Sequence, residues 1–219
     1  MRVTDSIALG WCHHDNVDNA FAQSVVRLAL ERYGRILSVH TVKGTGLLAQ
    51  SRNILVKQFL ATDDDWLLMM DTDQRIPIAS YDKLVEAADS IERPVMSGLV
   101  FGVVETEDQP KPFPCIFKES DGNLSPFDDY PADSVVEVKA AGTGFLLVHR
   151  SVFFRMSQHY SPITGPDWCW FQDGPVGDNT WISEDHMFCA RLRTLEIPIH
   201  AHTGAVADHH KLTWIGEPS

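Results

Sequence analysis

Apolar positions in the front half of this chain alternate between short unbroken runs and helical stripes. Trp66-Leu67-Leu68-Met69-Met70 is the sharpest run, preceded by Asp63-Asp64-Asp65 and stopped by Asp71-Thr72-Asp73. A run of that length between polar boundaries predicts a strand buried on both faces, the kind found at the centre of a parallel sheet. Ser6 to Trp11, with Ile7-Ala8-Leu9 in it, and Ile36 to Val42 predict two earlier strands. Between them Phe21, Val25, Leu28 and Ala29 repeat at helical spacing, with Asp18 as N-cap and Gly34 as the stop near Tyr33. Leu48, Leu55 and Phe59 mark one face of a second helix, Leu47 to Ala61. Strand, helix, strand, helix, strand in that order implies right-handed crossovers and a parallel sheet.

Ala79 to Ile91 reads as a further amphipathic helix and Pro94 to Val104 as a further strand. The pattern then becomes irregular. Glu105 to Pro131 is rich in Pro, Gly and Asp, and Pro112 to Lys118 followed by Asp121-Gly122 predicts a hairpin or a lid. Val135 to Ala140 and Gly144 to His149 read as strands around the turn Gly142-Thr143-Gly144. Ser151 to His159 is a short helix, and Ser161 to Thr180 a Gly- and Pro-rich loop holding Trp168, Trp170 and Phe171. Ser183 to Leu195 is a helix, Ile197 to His202 a strand, and the remainder a tail. The chain reads as a single domain over 1–219, with a nucleotide-type half at 1–104 and a second half at 105–219 that carries loops at 105–131 and 161–180.

Composition narrows the partners more than the fold. At 44% apolar and 22% charged residues, the 219-residue chain is an ordinary globular one with enough length for a real core. Its 18 basic and 30 acidic residues leave a net charge of −12, which disfavours broad binding of nucleic acid or anionic membrane. No run approaches the ~18 apolar residues of a membrane-spanning helix, and the apolar stretch after Met1-Arg2-Val3-Thr4-Asp5 is too short for a signal-peptide core. Cys12, Cys115, Cys169 and Cys189 are scattered with no Cys-x-x-Cys, which fits a reducing compartment and a cytoplasmic location. Cys12-His13-His14-Asp15 contains zinc-type ligands, but adjacent residues seldom converge on one metal.

The candidate chemistry lies at the end of the third strand. Open α/β sheets bind ligands at the carboxyl ends of their strands, where Asp71 and Asp73 fall. If extended geometry persists to the tip, these two carboxylates share a face and Thr72 points away. Paired hard oxygen donors suit Mg²⁺ or Mn²⁺ carrying substrate phosphates. Asp63 and Asp65 repeat the spacing with no such strand before them, so Asp-x-Asp by itself is a weak signal.

Several pieces align in order: the helix opening Leu48-Ala49-Gln50-Ser51-Arg52-Asn53, then Trp66 to Asp73, Gly142-Thr143-Gly144-Phe145-Leu146-Leu147-Val148-His149, and Ser183-Glu184-Asp185-His186-Met187-Phe188. Together they resemble the GT-A-fold glycosyltransferases, above all the family-2-like group that uses nucleoside-diphosphate sugars. The resemblance spans about Ser6 to His210 and is weakest across the two loops. It implies a Rossmann-like, mixed and mainly parallel sheet flanked by helices, with a smaller irregular β region on the acceptor side. It implies a metal-dependent, inverting transfer of a sugar to an acceptor hydroxyl. In that pattern Asp73 binds Mn²⁺ or Mg²⁺ bridging the donor diphosphate, and Asp71 approaches the ribose or the metal's water shell. Arg52 and Asn53 line the nucleotide pocket, and Gly142 and Gly144 bring backbone close to the donor sugar. Glu184 and Asp185 form the acceptor-side pair, with Asp185 as general base. His209 is the late histidine on the metal, with His210 and His202 behind it, and an imidazole favours Mn²⁺ over Mg²⁺.

Each assignment has a plainer competitor. Arg52 shares a helical face with Leu48 and Leu55 and suits a snorkelling side chain. Glu184 and Asp185 suit a first helical turn after a Ser183 cap, Gly142 to Gly144 a β-bulge, and the tail histidines plain exposure. Other classes also compete. A haloacid-dehalogenase-type phosphatase places its Asp-x-Asp near the N-terminus, with Thr or Val where Arg75 stands. A nucleotidyltransferase wants a Gly-rich basic loop where Cys12-His13-His14-Asp15 stands. A non-catalytic nucleotide-sugar binding module leaves the Glu184-Asp185 pair unexplained. The acceptor is open among a small molecule, a glycan, a protein and, against the acidity of the chain, a modified DNA base.

Overall fold

Trp66–Met70 is buried at every position, and the rest of the fold is stacked around it. The computed structural model describes residues 5–44, 46–104, 111–120, 122–164, 168–176 and 180–210. Asp121 of the expected turn, and the parts of the expected loops and tail at 105–110, 165–167, 177–179 and 211–219, lie outside the described residues.

The front half runs β1 (Ile7–His13), α1 (Asn19–Glu31), β2 (Ile36–Lys43), α2 (Leu48–Leu60), β3 (Trp66–Met70), β4 (Gln74–Arg75), α3 (Ile78–Ala87), β5 (Val95–Leu99) and β6 (Phe101–Val104). It continues through β7 (Lys111–Pro114), β8 (Ile116–Ser120), β9 (Asn123–Pro126), β10 (Val135–Val138), β11 (Ala140–Ala141), β12 (Phe145–His149) and α4 (Arg150–Thr164). The last elements are β13 (Gly174–Val176), β14 (Thr180–Ile182), α5 (Glu184–Thr194), β15 (Ile199–Val206) and β16 (Asp208–His209).

Seven strands form the main sheet in the order β10-β15-β5-β12-β3-β1-β2. β1 runs parallel to β2 and β3, and β15 parallel to β5. β12 is antiparallel to its neighbours β3 and β5, and β10 antiparallel to β15. The sheet is therefore mixed and mainly parallel, with β10 and β12 reversed. Period-two alternation along β3 divides the core. Leu67 and Met69 pack with Ala8, Val148 and the α2 residues Leu55, Val56 and Phe59 on one face. Trp66, Leu68 and Met70 pack with Leu9, Phe145, Phe21 of α1 and Tyr81 of α3 on the other. Each such buried side chain contributes about 1.5–3 kcal/mol.

Local signals account for most boundaries. Asp18 caps α1 by accepting the Ala20 N–H at 2.7 Å, and the helix stops at Glu31, before Gly34. Phe21 and Leu28 are buried as the stripe requires. Leu48 departs from expectation: as the first residue of α2 it lies beyond the sheet and is exposed. The run from Pro94 to Val104 is two strands rather than one. Val100 breaks it, its carbonyl accepting the Cys115 N–H, so that β6 leaves the main sheet to pair with β7.

The irregular half contains more structure than its composition suggests. β8 and β9 form a hairpin, with Gly122 at φ +77 in the left-handed region of its turn. β13 and β14 pair antiparallel at the end of the expected 161–180 loop, and α4 extends into it as far as Thr164. The expected tail is also structured: β15 continues to Val206, and β16 folds back to pair with β4. Among the described residues no helix is long and apolar enough to cross a membrane.

Candidate functional site

The site begins where β3 ends. Because β12 is antiparallel to β3, its amino end meets the carboxyl end of β3, with Phe145 opposite Met70. The Asp71 N–H donates to the Gly144 carbonyl at 3.0 Å, closing the join. A Cβ on Gly144 would collide with Gln74 Nε2 and stand 2.8 Å from Asp71 Oδ2, and one on Gly142 would stand 4.0 Å from Asp185 Oδ2. One short turn thus bonds Asp71 at one end and lies near Asp185 at the other. Close approach is what glycine provides here, since the positive-φ glycines among the described residues are Gly46 and Gly122.

Extended geometry does not persist through Asp71-Thr72-Asp73. β3 stops at Met70 and the chain turns, so the two carboxylates face different partners. Asp71 Oδ1 takes a 3.3 Å contact from Arg52 Nη2. Asp73 Oδ2 lies 2.9 Å from His209 Nε2. Both carboxylates keep about two-fifths of their side-chain surface open, 43% and 42%.

Strand pairing delivers His209. β16 lies antiparallel to β4, His209 opposite Gln74, which brings the imidazole over Asp73. His209 Nδ1 donates to the Phe101 carbonyl at 2.7 Å, which orients the ring and turns Nε2 to the carboxylate. His210 takes a different place: its N–H donates to the Asp73 carbonyl at 2.8 Å and its Nδ1 pairs with Asp18 Oδ2 at 2.5 Å. The contacts of the Ala20 N–H and of His210 hold the Asp18 carboxyl below the usual carboxylate range. His202 sits on β15, its Nδ1 accepting the Gly204 N–H, and takes no part in this arrangement.

Arg52 adopts neither the open pocket-lining setting nor the snorkelling one. It is buried, and its guanidinium joins Asp71 to Glu184. Asn53 is also enclosed. Its amide donates to the Phe171 carbonyl at 2.7 Å and its Oδ1 accepts the Phe171 N–H at 2.8 Å, so this side chain clamps the 168–176 segment.

The opening of α5 departs from simple capping. Ser183 Oγ makes no cap bond to the backbone; it donates to Asp185 Oδ1. The His186 N–H reaches the same oxygen at 2.7 Å. Asp185 Oδ1 is therefore engaged twice, while Oδ2 faces the Gly142 turn.

Two cavities flank the Asp71–Asp73 turn. One, of about 220 Å³, is lined by Cys12, His13, Gly44, Leu47, Ser51 and Thr72 at the carboxyl ends of β1 and β2. The other, of about 370 Å³, is lined by Asp18, Asp73, Arg75, Asp208, His209 and His210. Burial pushes the Cys12 thiol up to about 11, which opposes the thiolate a zinc site would require. The loop aromatics separate clearly. Trp170 and Phe171 are core residues, the first bonded to the Phe153 carbonyl and the second stacked on Phe188. Trp168 lies under the Lys57 ammonium, and Trp181, on the strand leading into α5, is 68% exposed.

Gln74 is the site residue that sequence reasoning passes over. Among the described residues its buried amide has no hydrogen-bond partner at either end. A polar residue next to an Asp-x-Asp in a two-residue strand carries no pattern that marks it as buried.

No protein-family model matches this sequence, and no curated protein matches it. Solved structures do resemble it. The crystal structure of A197 from STIV superposes with a TM-score of 0.60 at 17% identity, covering 94% of this chain and 86% of that one. The crystal structure of GalNAc-T7 with UDP, GalNAc and Mn²⁺ does so with a TM-score of 0.60 at 11% identity, covering 95% of this chain and 44% of that one. The chain thus spans less than half the length of GalNAc-T7. Its architecture is a GT-A-like glycosyltransferase fold, as the order of its motifs implies.

Proposed function

We propose that this protein transfers a sugar from a nucleoside-diphosphate sugar to an acceptor hydroxyl, with inversion at the transferred carbon. The observation that carries the reading is the Gly142–Gly144 turn, which is hydrogen-bonded to Asp71 at one end and lies near Asp185 Oδ2 at the other. In this reading the donor-side and acceptor-side carboxylates work on either side of that turn. The likeness to a structure holding UDP, GalNAc and Mn²⁺ supports a nucleotide-sugar donor.

The cavity at the ends of β1 and β2 would take the nucleoside, placing the diphosphate beside Thr72 and Asp73. Arg52 offsets part of the charge of Asp71 and Glu184 and weakens their repulsion of that diphosphate. Asp185 is the general base of this reading. Ser183 and the His186 N–H fix Oδ1, leaving Oδ2 to accept the acceptor's proton as its oxygen attacks the sugar carbon. The bond to the diphosphate oxygen breaks on the opposite side, and its electron pair leaves with the nucleoside diphosphate.

The residues present fit a divalent cation. With Nδ1–H committed to the Phe101 carbonyl, His209 Nε2 and Asp73 Oδ2 meet at 2.9 Å as two acceptors, a contact that closes by sharing a cation or a proton. Among the described residues no three His, Cys, Asp or Glu side chains form a ready cluster. A protein pair completed by substrate phosphates and water is the usual arrangement for ions that carry phosphates. Asp73 and His209 would hold the ion, Mn²⁺ being better matched to an imidazole, and it would stabilise charge on the departing diphosphate.

The test is thermal unfolding with Mn²⁺ and a panel of nucleoside-diphosphate sugars. One preferred donor should raise the Tm through linkage, in a metal-dependent way. A flat response across the panel would remove the donor reading.

A further inference from the structure

Gln74 is 1% exposed, and neither Nε2 nor Oε1 finds a hydrogen-bond partner among the described residues. Thr143 is 3% exposed, and its Oγ1 is likewise without one. Buried polar groups are costly when unpaired, so natural cores rarely keep them without a purpose. These two flank the same carboxylate. Gln74 Nε2 and Asp71 Oδ2 both border the space that a side chain on Gly144 would fill. Thr143 lines a void of about 10 Å³ together with Arg52 and Asp71. The contact that Asp71 takes from Arg52 is long, at 3.3 Å. A loosely held carboxylate thus lies between two buried groups, each able to donate a hydrogen bond.

We propose that Gln74, assisted by Thr143, is a positioning residue for Asp71, its amide kept unpaired in the empty fold and closing on the carboxylate when a nucleoside diphosphate enters the crevice. This rests on the donor reading above. The missing side chain at Gly144 is part of the device, because any Cβ there would block the approach. The arrangement costs stability in the empty protein and returns it on binding, the trade expected at functional sites. Gln74 acts through Asp71 and touches no reacting atom.

Gln74→Met and Thr143→Val remove the polar groups while keeping length or shape. Two quantities are measured for each: the Tm without ligand, and the affinity for UDP and for GDP in the presence of Mn²⁺. The expected pair of results is opposite in sign: a Tm raised by roughly 2–4 °C and nucleotide affinity weakened about tenfold. A lowered Tm in both variants overturns the proposal, because the groups then serve the fold, through a bound water or otherwise. A raised Tm with unchanged affinity overturns it as well, leaving Gln74 as a plain packing defect. Wild-type protein that binds neither nucleotide overturns the donor reading and the positioning role together, whereas wild-type binding retained in both variants overturns the positioning role alone.

Discussion

Arg52 and Glu184, 132 positions apart in the chain, form a largely buried ion pair, their side chains 6% and 13% exposed. The same guanidinium reaches Asp71. This pairing ties α2, the helix before β3, to the start of α5, so Asp71 and Glu184 share one cation. Removing one partner leaves a buried charge uncompensated, which typically costs about 3–5 kcal/mol. Arg52→Ala is accordingly expected to lower the Tm by many degrees and to abolish transfer, measured by thermal unfolding and turnover. Arg52→Lys should recover only part of either, since an ammonium lacks the fork that spans two carboxylates.

Asp73 is two-fifths exposed, and its carboxylate meets His209 in a turn open to solvent rather than in the core. Asp73→Ala and His209→Ala should therefore fold, judged by Tm, and lose the Mn²⁺-dependent stabilisation by nucleotide. His209→Ala should retain more than Asp73→Ala, because a carboxylate carries the charge the ion needs. Unaltered Mn²⁺ dependence in Asp73→Ala would contradict the metal assignment.

Asp185→Asn preserves size and the hydrogen bond from the His186 N–H while removing the basic oxygen. Donor binding is expected to stay within about twofold, and transfer to fall by about 10²–10⁴-fold, the usual range for loss of a general base. Slow transfer to water, followed as release of nucleoside diphosphate, is a sufficient assay before the acceptor is known. Undiminished release would exclude Asp185 as the base.

Acid sensitivity follows from histidines outside the site. Burial holds His40, His149, His200 and His202 below the ordinary value of 6.5. Below that pH the unfolded chain takes up protons that the folded chain resists, so stability rises with pH in this window and is lost on acidification. Thermal unfolding between about pH 7 and pH 5 should show the Tm falling from about 6.5 downward. His200→Gln should flatten that fall. A Tm that holds constant across the window would contradict this reading of the four rings.

Much of the front half is legible in the sequence because strong local patterns set it. Trp66–Met70 is too apolar to be anywhere but inside, and Asp18 marks a helix start by capping it. What escapes is set by long-range pairing. Two-residue strands such as β4 and β16 have no periodicity to read, so although the resemblance singles out His209, the register that brings it to Asp73 is not visible in the sequence. Asn53 has the chemistry of a pocket residue, and its clamp on Phe171 across 118 positions has no local signature. The continuous apolar stretch to Val104 conceals the break at Val100, since both of its strands are apolar. The Asp71-Thr72-Asp73 turn likewise shows that a strand's alternation need not continue past its end.

Donor and acceptor carboxylates acting in one crevice on a nucleoside-diphosphate sugar is the central claim. The most direct measurement is Mn²⁺-dependent release of nucleoside diphosphate from the donor that most stabilises the wild-type protein, compared with Asp73→Ala and Asp185→Asn. Release is expected in the wild type, loss of binding and release in Asp73→Ala, and binding without release in Asp185→Asn. Equal release from all three proteins, or binding by the wild type with no release under any condition, would contradict the claim.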